Sequence, residues 1–544
     1  METKNNRVNN VLIQLGLIFL ASILFAASFP NIVFINGLPI LAWFAYIPIL
    51  IIIRKNNLLA CAGFGAIYGI IAYALFNYWL GNFHPLAGII VYSIYLVYLC
   101  ITFISLKLAY ILFPKRGYIV QWAVWLAYEY LRTKGFLGYS YGVTGYSQWR
   151  MIPLIQIASI TGVWGVSALV TFPSFWLAEA INNLNLSDLK TSFVSFLFKE
   201  KISASIWFAA LIATLIFGFI NIKDFSSYSN APIAVIQHNT DPWEGAARAS
   251  TDYLKAQAYH KDLVKLMRLS DEALSSNPKT TLVVWPETAF VPRIYWHTTY
   301  RDDQDSWLIV KELLDYLSSK EVSFLIGNDD GRMDSSRNPN ADEKYRVDYN
   351  SAMFFDKGQN TAVYRKIHLV PLTEHFPYKR QFPSIYKWLK NADTHFWEKG
   401  EEETIFKGKG FTFSAPICFE DTFGYLSRNF VRRGADVLVN LSNDGWSKSL
   451  PAQYQHLTMA VFRAVENYRP MVRSTSTGQT CAIDPNGRVT AMAKPFMETY
   501  LNVAVPLVKK NAIYTLYGDY LGIFFVFLAI SLLIFKAVWC TIKP

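Results

Sequence analysis

Three residues in this chain have the types needed for thiol acyl transfer: Glu287 in Trp-Pro-Glu, Lys366 in Tyr-Arg-Lys-Ile-His, and Cys418 in Pro-Ile-Cys-Phe-Glu. Each follows a short apolar run. A thiol is mostly protonated at neutral pH, so as a nucleophile it needs a base or a nearby cation. A carboxylate can accept the proton; an ammonium can lower the thiol pKa and hold a developing oxyanion. Taken singly, each has a plainer reading, as a buried structural cysteine or a solvated charge.

The elements that must position them can be read from the pattern. Ile233–Gln237, Thr281–Trp285, Ser323–Gly327, Ala352–Asp356 and Ala362–Arg365 read as strands. So do Phe411–Ile417, Val437–Leu441, Val472–Ser476, Thr480–Asp484 and Ala491–Lys494. Helices are predicted at 250–275, 305–319, Glu420–Arg433 and Gln453–Tyr468, and the polar stretch 328–350 reads as a hairpin or exposed loop. Alternating strands and helices predict an α/β domain. Cys418 falls between a strand and a helix, which predicts a thiol at a helix N-terminus. There is no GxGxxG, P-loop, zinc-ligand spacing or internal repeat, so neither metal nor cofactor is expected.

This polar block lies between apolar ones. The mean hydropathy of +0.21 and the 52% hydrophobic content are high for a soluble protein. Candidate spans are 11–29, 34–53, 58–80, 86–113, 118–131, 154–182, 203–221 and 517–538, most of them near the roughly 20 residues that cross a bilayer. Domains are accordingly expected at 1–222 (seven spans), 223–510 (globular) and 511–544 (a last span and short tail). Lys4 and Arg7, Arg54 and Lys55, Lys115 and Arg116, then Lys190, Lys199 and Lys201, and finally Lys543, mark one side of the membrane. By the positive-inside rule that side is the cytoplasm, which puts the globular domain outside it. The loop with Arg132, Lys134 and Arg150 is the exception. The net charge of +11 partly reflects this topology, and nucleic acid is not an expected partner. Cys61, Cys100 and Cys540 fall in apolar spans and read as small hydrophobes; a disulfide between Cys418 and Cys481 is the lesser alternative for those two.

The segments around the three residues resemble the nitrilase, or carbon-nitrogen hydrolase, superfamily. Within it the chain is similar to the apolipoprotein N-acyltransferase family. The resemblance rests on TLVVWPETAF (281–290), KIHLVPLTE (366–374), APICFE (415–420), LSNDGW (441–446) and YQHLTMAVFRAVENYRPMVRSTSTGQT (454–480). In the apolar half it adds EYLR (129–132), GYSQ (145–148) and GVWGVS (162–167). It implies a multi-span α-helical membrane domain joined to an αββα sandwich. It also implies Cys418 as nucleophile, Glu287 as general base and Lys366 as charge stabiliser. Glu374 would be a second carboxylate near the thiol, and Phe419 and Glu420 would shape the pocket. Trp243, after Gln237-His238-Asn239, is the nearest counterpart of a pocket tryptophan, though its spacing is shorter than the family's. Leu372-Thr373, Phe419 and Ser447 depart from the residues usual in the family, which bears on substrate preference.

The implied reaction is transfer of an acyl chain from a phospholipid, through a thioester, to the α-amine of a diacylglyceryl-apolipoprotein. It would be the last step of bacterial lipoprotein maturation, carried out by a monomer in the inner membrane with its catalytic domain on the periplasmic side. The rivals are a membrane-anchored amidase of nitrilase type using water, an inactive scaffold, and a transporter. Other residues carry alternatives. Glu129 and Arg132 are either an interfacial ion pair or organisers of a lipid-side floor. The aromatic and basic stretch 376–397 is either a headgroup-level segment or a core-facing helix. Tyr295 and Trp296 are candidates to line a lipid entry, and His456 reads as a packing histidine.

Overall fold

The computed structural model describes residues 2–83, 85–185, 187–240, 251–334, 346–391 and 396–542. It divides into two compact units. One comprises Met1–Lys223, Ser447–Phe462 and Tyr517–Pro544; the other comprises Asp224–Trp446 and Arg463–Leu516.

Among the described residues of the first unit six helices are long and apolar enough to cross a membrane: Val8–Ser28, Leu58–Phe76, Leu86–Leu112, Val163–Asn182, Leu189–Asn221 and Tyr520–Cys540. Large apolar side chains such as Ile101, Phe219 and Phe527 point outward from them, as lipid-facing helices require. This is a multi-pass membrane protein. One expected span is shorter than the composition suggested. Segment 34–53 forms a 3-10 turn, Pro39–Trp43, and a helix of nine residues, Ile47–Lys55. Each begins with a proline in its first turn, where the missing N–H costs nothing and the chain restarts. Segment 118–131 becomes the 15-residue helix Gly117–Leu131. The expected span 154–182 is cut at Gly162, so that its long helix is Val163–Asn182. Gly65 and Gly69 let Leu58–Phe76 lie against Pro85–Leu112: a Cβ on either would sit 2.4 Å from the carbonyl oxygen of Leu99 or Tyr95. Such small-xxx-small faces are how membrane helices approach closely.

Glu129 and Arg132 are both buried in this unit, which rules out the exposed interfacial pair. Glu129 accepts from the Thr144 amide at 3.1 Å and from the Thr144 hydroxyl. Arg132 donates to the Tyr95 hydroxyl at 2.7 Å and to the carbonyls of Tyr139 and Tyr141. Together they hold the loop 139–144 against the helix ends. His456 is buried against the Tyr141 ring, as a packing histidine would be.

The described residues of the second unit form twelve strands: β1 Asn230–Gln237, β2 Leu282–Val284, β3 Ser323–Met333, β4 Arg346–Asp356, β5 Gln359–Arg365, β6 Phe406–Lys407, β7 Thr412–Ser414, β8 Val437–Ser442, β9 Met471–Thr475, β10 Cys481–Ile483, β11 Val489–Met492 and β12 Thr499–Pro506. They form two six-stranded sheets, ordered β12-β1-β2-β3-β4-β5 and β11-β10-β9-β8-β7-β6. β1–β2–β3 and β7–β8–β9 are parallel, with antiparallel strands toward the edges. The sheets face each other. Phe354 on β4 meets Phe406 and Phe413, and the Ser474 hydroxyl donates to the carbonyls of Ile236 and Val284. Helices Asp252–Ser276 and Gln304–Ser318 cover the outer face of the first sheet, burying Leu263, Leu266, Leu269, Leu313 and Leu317 at helical spacing. Helix Gly424–Arg432 buries Leu426 and Phe430. The architecture is a nitrilase-like αββα sandwich.

β3 and β4 run into the stretch expected to be a loop, with 335–345 outside the described residues. Asn328, Asp329 and Asp330 are buried rather than solvated. Arg332 and Arg365 both pair with Asp330, and the Asn328 amide donates to the carbonyls of Phe290 and Pro292. With their polar groups satisfied, these residues tolerate a strand interior.

Candidate active site

Glu287 stands just past β2, and Lys366 just past β5. Cys418 follows Ile417, which bridges to Leu441 beyond the end of β7. Parallel neighbours thus deliver two of the three from strand ends, the usual place for sites in α/β sheets. Backbone bonds fix Lys366: its amide donates to the Asn350 carbonyl, and its own carbonyl accepts from Gly400, each at 2.8 Å. Its ammonium is fully buried and lies 3.3 Å from Glu287 Oε1 and 2.9 Å from Glu374 Oε1. Glu287 also accepts from the Asn350 side-chain amide at 2.8 Å and from the Asn443 backbone N–H at 3.0 Å. Glu374 accepts from the Val370 N–H at 2.9 Å.

Cys418 does not begin a regular helix. It opens the 3-10 turn Cys418–Thr422, and helix Gly424–Arg432 starts only afterwards. Its φ of +49° is the left-handed region, uncommon for a residue with a Cβ and frequent where function demands it. Five residues of 3-10 turn supply no macrodipole of consequence, so the helix-terminus argument drops out. The Asn440 amide holds the backbone here, donating to the carbonyls of Pro416 and Cys418. Cys418 as a residue is partly exposed, and Cys418 and Cys481 are both free.

The electrostatics separate the roles these groups can take. Burial pushes the Cys418 thiol well above its ordinary range, and the Glu287 charge adds to this; Lys366 opposes it without prevailing. The resting thiol is therefore held in its neutral form, and any use of it as a nucleophile would need a base. Burial is the largest effect on Lys366 and favours the neutral amine, yet the charges of Glu374, Glu287 and Cys418 hold its pKa above the usual value. Burial raises Glu374, with Lys366 pulling it back. The site thus holds a fixed cation, two carboxylates in contact with it, and a buried thiol whose charge couples to them. That set can run base-assisted nucleophilic attack on a carbonyl.

Glu420 is the tie between two of these segments. Its carboxylate accepts from the backbone N–H groups of Ile367 and His368, beside Lys366, and from that of Ile417, beside Cys418, at 2.7–2.8 Å. The Tyr364 hydroxyl also donates to it. Burial pushes it up to about 7 against the pull of these amides. Phe419 packs edge-on to Phe423. His368 stacks on Phe423 and bonds the Tyr425 hydroxyl; burial and the nearby lysines lower it to about 4, so it is neutral. Trp243 lies outside the described residues. The sequence reading missed Asn350, Asn440 and Asn443. Asn350 sits in the stretch that read as a loop, and Asn443 acts through its backbone, which no residue type announces.

Tyr295 is covered by the Arg332 guanidinium, 3.2 Å from its ring centroid. Trp296 is buried and donates to Asp302; it is a structural residue, not an entry lining. Helix Pro383–Asn391 buries only Leu389 and exposes Ile385 and Trp388, with Phe382 exposed just before it. The helix itself is therefore not core-facing, while Phe376 and Trp397, at the two ends of the stretch 376–397, are buried.

Two family patterns match the chain, carbon-nitrogen hydrolase over residues 233–512 and the apolipoprotein N-acyltransferase N-terminal domain over residues 21–176. Apolipoprotein N-acyltransferase 1 of Treponema denticola is 41% identical over 523 residues, covering 94% of each chain. The chain belongs to the apolipoprotein N-acyltransferase family. Its counterpart in Treponema pallidum, also named apolipoprotein N-acyltransferase 1, is 43% identical over 95% of this chain and 94% of its own. Among solved structures, a carbon-nitrogen hydrolase from Helicobacter pylori aligns with 54% of this chain and 94% of its own, at 15% identity and a TM-score of 0.37. As a member of the acyltransferase family, this chain is an enzyme that combines a multi-pass apolar unit with a carbon-nitrogen hydrolase domain.

Proposed function

We propose that this enzyme transfers an acyl chain from a phospholipid to the α-amine of a diacylglyceryl-cysteine at the N-terminus of an apolipoprotein, through a thioester on Cys418. Glu287 takes the Cys418 proton as sulfur attacks the ester carbonyl. The S–C bond forms, and Lys366 holds the oxyanion. The C–O bond to glycerol then breaks, and Glu287 returns the proton to the departing lysophospholipid oxygen. In the second half the α-amine attacks the thioester, the C–S bond breaks, and the amine's proton returns to sulfur through Glu287. Glu374 keeps Lys366 charged throughout. Glu420 and Phe419 shape the nucleophile's turn, and Trp243 is a candidate pocket wall. The catalytic domain spans 223–510 on the periplasmic side of the inner membrane, by the loop-charge pattern.

The observation that supports this reading is the Cys418 thiol in the field of Lys366 and of the carboxylates Glu287, Asp444 and Glu374. The exposed apolar and basic helix Pro383–Asn391 supports a lipid-derived donor, since such a face suits the headgroup level. The test incubates purified full-length enzyme with phospholipid and a diacylated lipopeptide and follows both products by mass spectrometry. N-acylated peptide and lysophospholipid should appear together, and Cys418→Ala should make neither. Free fatty acid without acylated peptide would convert the reading to a membrane-anchored amidase.

A further inference from the structure

Arg473, on β9, is completely buried, and neither the acyl-transfer cycle nor the strand pattern calls for a charge there. A buried guanidinium is costly unless paired. Arg473 is paired on both sides. Nη1 meets Asp421 Oδ2, and Nη2 lies 3.2 Å from Asp444 Oδ2. Asp421 belongs to the 3-10 turn that Cys418 opens. Asp444 follows Asn443, whose backbone N–H donates to Glu287 Oε2 at 3.0 Å. One guanidinium therefore joins the turn that carries the thiol to the turn that holds the carboxylate.

Asp444 is itself built in. The Ser442 hydroxyl donates to its Oδ1 at 3.0 Å. At Gly478 the backbone passes so close that a Cβ would lie 2.4 Å from Asp444 Cβ, so only glycine leaves this carboxylate room. Arg473 is also the cross-strand partner of Asn440, whose amide holds the Cys418 carbonyl. Two paired residues on β8 and β9 thus both reach the nucleophile's turn.

We propose that Arg473 is a positioning residue that locks the Cys418 turn and the Glu287-contacting turn in one register through Asp421 and Asp444. The inference rests on the reading of Cys418 as nucleophile and Glu287 as base. A base and a nucleophile must stay within a fraction of an ångström of the productive geometry. The planar fork of arginine spans two carboxylates, which a lysine head cannot do with the same fixed geometry. The clamp also sets the charge around the thiol. Glu287, Lys366, Asp444 and Glu374 bear on it, and among them Asp444 disfavours the thiolate.

The test uses full-length enzyme in detergent with phospholipid and lipopeptide, together with peptide-resolved alkylation of Cys418 by iodoacetamide across pH. Arg473→Lys should lower kcat by about tenfold or more while KM moves less than about twofold. Asp444→Asn should separate two quantities that a merely structural defect moves together. Removing a like charge should speed Cys418 alkylation at a fixed neutral pH by about threefold, while kcat falls because the tether is lost. Wild-type kcat in Arg473→Lys would overturn the proposal. So would an Asp444→Asn protein whose alkylation and turnover fall in step. If Arg473→Lys yields no folded protein by gel filtration, Asp444→Asn alone decides. Full activity in Cys418→Ala would instead show that the underlying reading of the site is at fault.

Discussion

Replacing Glu420 by Gln removes one charge and one acceptor from the tie between the Lys366 and Cys418 segments. On the Oε1 side two backbone N–H groups converge, from Ile367 and His368; on the Oε2 side there is one, from Ile417. A glutamine has a single side-chain oxygen, and it will face the two. Its NH2 group then meets the Ile417 N–H, donor against donor. An unpaired buried donor costs about 1–3 kcal/mol, and here it adjoins Cys418. We expect kcat to fall by about a hundredfold, the loss that a displacement near 1 Å produces, with KM nearly unchanged.

The pH dependence gives this prediction its sign. Burial raises the Glu420 carboxyl from the ordinary 4.5 to about 7, a difference of about 3 kcal/mol. A raised carboxyl contributes its stability fully below its unfolded value and loses it as pH climbs through the folded value. The wild type therefore weakens between 4.5 and about 7, and the neutral glutamine does not. Melting temperatures in detergent should show the largest deficit for Glu420→Gln near about pH 5 and a much smaller one near about pH 8. A deficit that grows with pH would refute the reasoning, because it would mean that the amide donors outweigh burial and hold Glu420 ionised.

Two further predictions concern other contacts. Asn350→Leu removes the 2.8 Å donor to Glu287; losing a hydrogen bond to a charge costs about 1.5–3 kcal/mol, so kcat/KM for acyl transfer should fall by about ten- to a hundredfold. Gly69→Ala would drive a Cβ to 2.4 Å from the Tyr95 carbonyl oxygen, where neither helix backbone can yield; a loss of about 1–3 kcal/mol should appear as a lower melting temperature with kcat intact in the surviving protein.

Glu287 and Cys418 were legible as strand-end residues because each follows a buried apolar run, whereas Lys366 follows a mostly exposed edge strand and stood out through the motif around it. A charged or reactive side chain placed directly after such a run must emerge at the strand's end. The buried polar stretch Asn328–Asp330 was not legible, because composition alone marks it as a loop. What keeps it inside is Arg365, 35 residues away in sequence, and no local pattern records such a partner. Hydropathy likewise saw 34–53 as one span, since averaging over a window hides what Pro39 and Pro48 do to the backbone. The turn at Cys418 was misread for a related reason. Glu420 and Asp421 resemble a helix's acidic first turn, but both carboxylates are engaged elsewhere, one by the backbone amides and the other by Arg473.

Why Lys366 should have two carboxylates follows from the path of charge. In the proposed cycle the proton starts on sulfur, with the Lys366 cation held between the carboxylates of Glu287 and Glu374. If Glu287 takes that proton as proposed, the negative charge moves from Glu287 to sulfur, and the sum around Lys366 is the same. Lys366 touches Glu287 and is itself stabilised by charge on Cys418, so it borders both ends of that movement. Glu374, held by the Val370 amide and its 2.9 Å contact to Lys366, stays in place while the other two groups exchange a proton. A lone Glu287–Lys366 pair would leave the ammonium without a carboxylate partner once Glu287 is protonated, and burial would then favour the neutral amine. With Glu374 present, the cation is already in place when the oxyanion forms, and no reorganisation is needed at that moment.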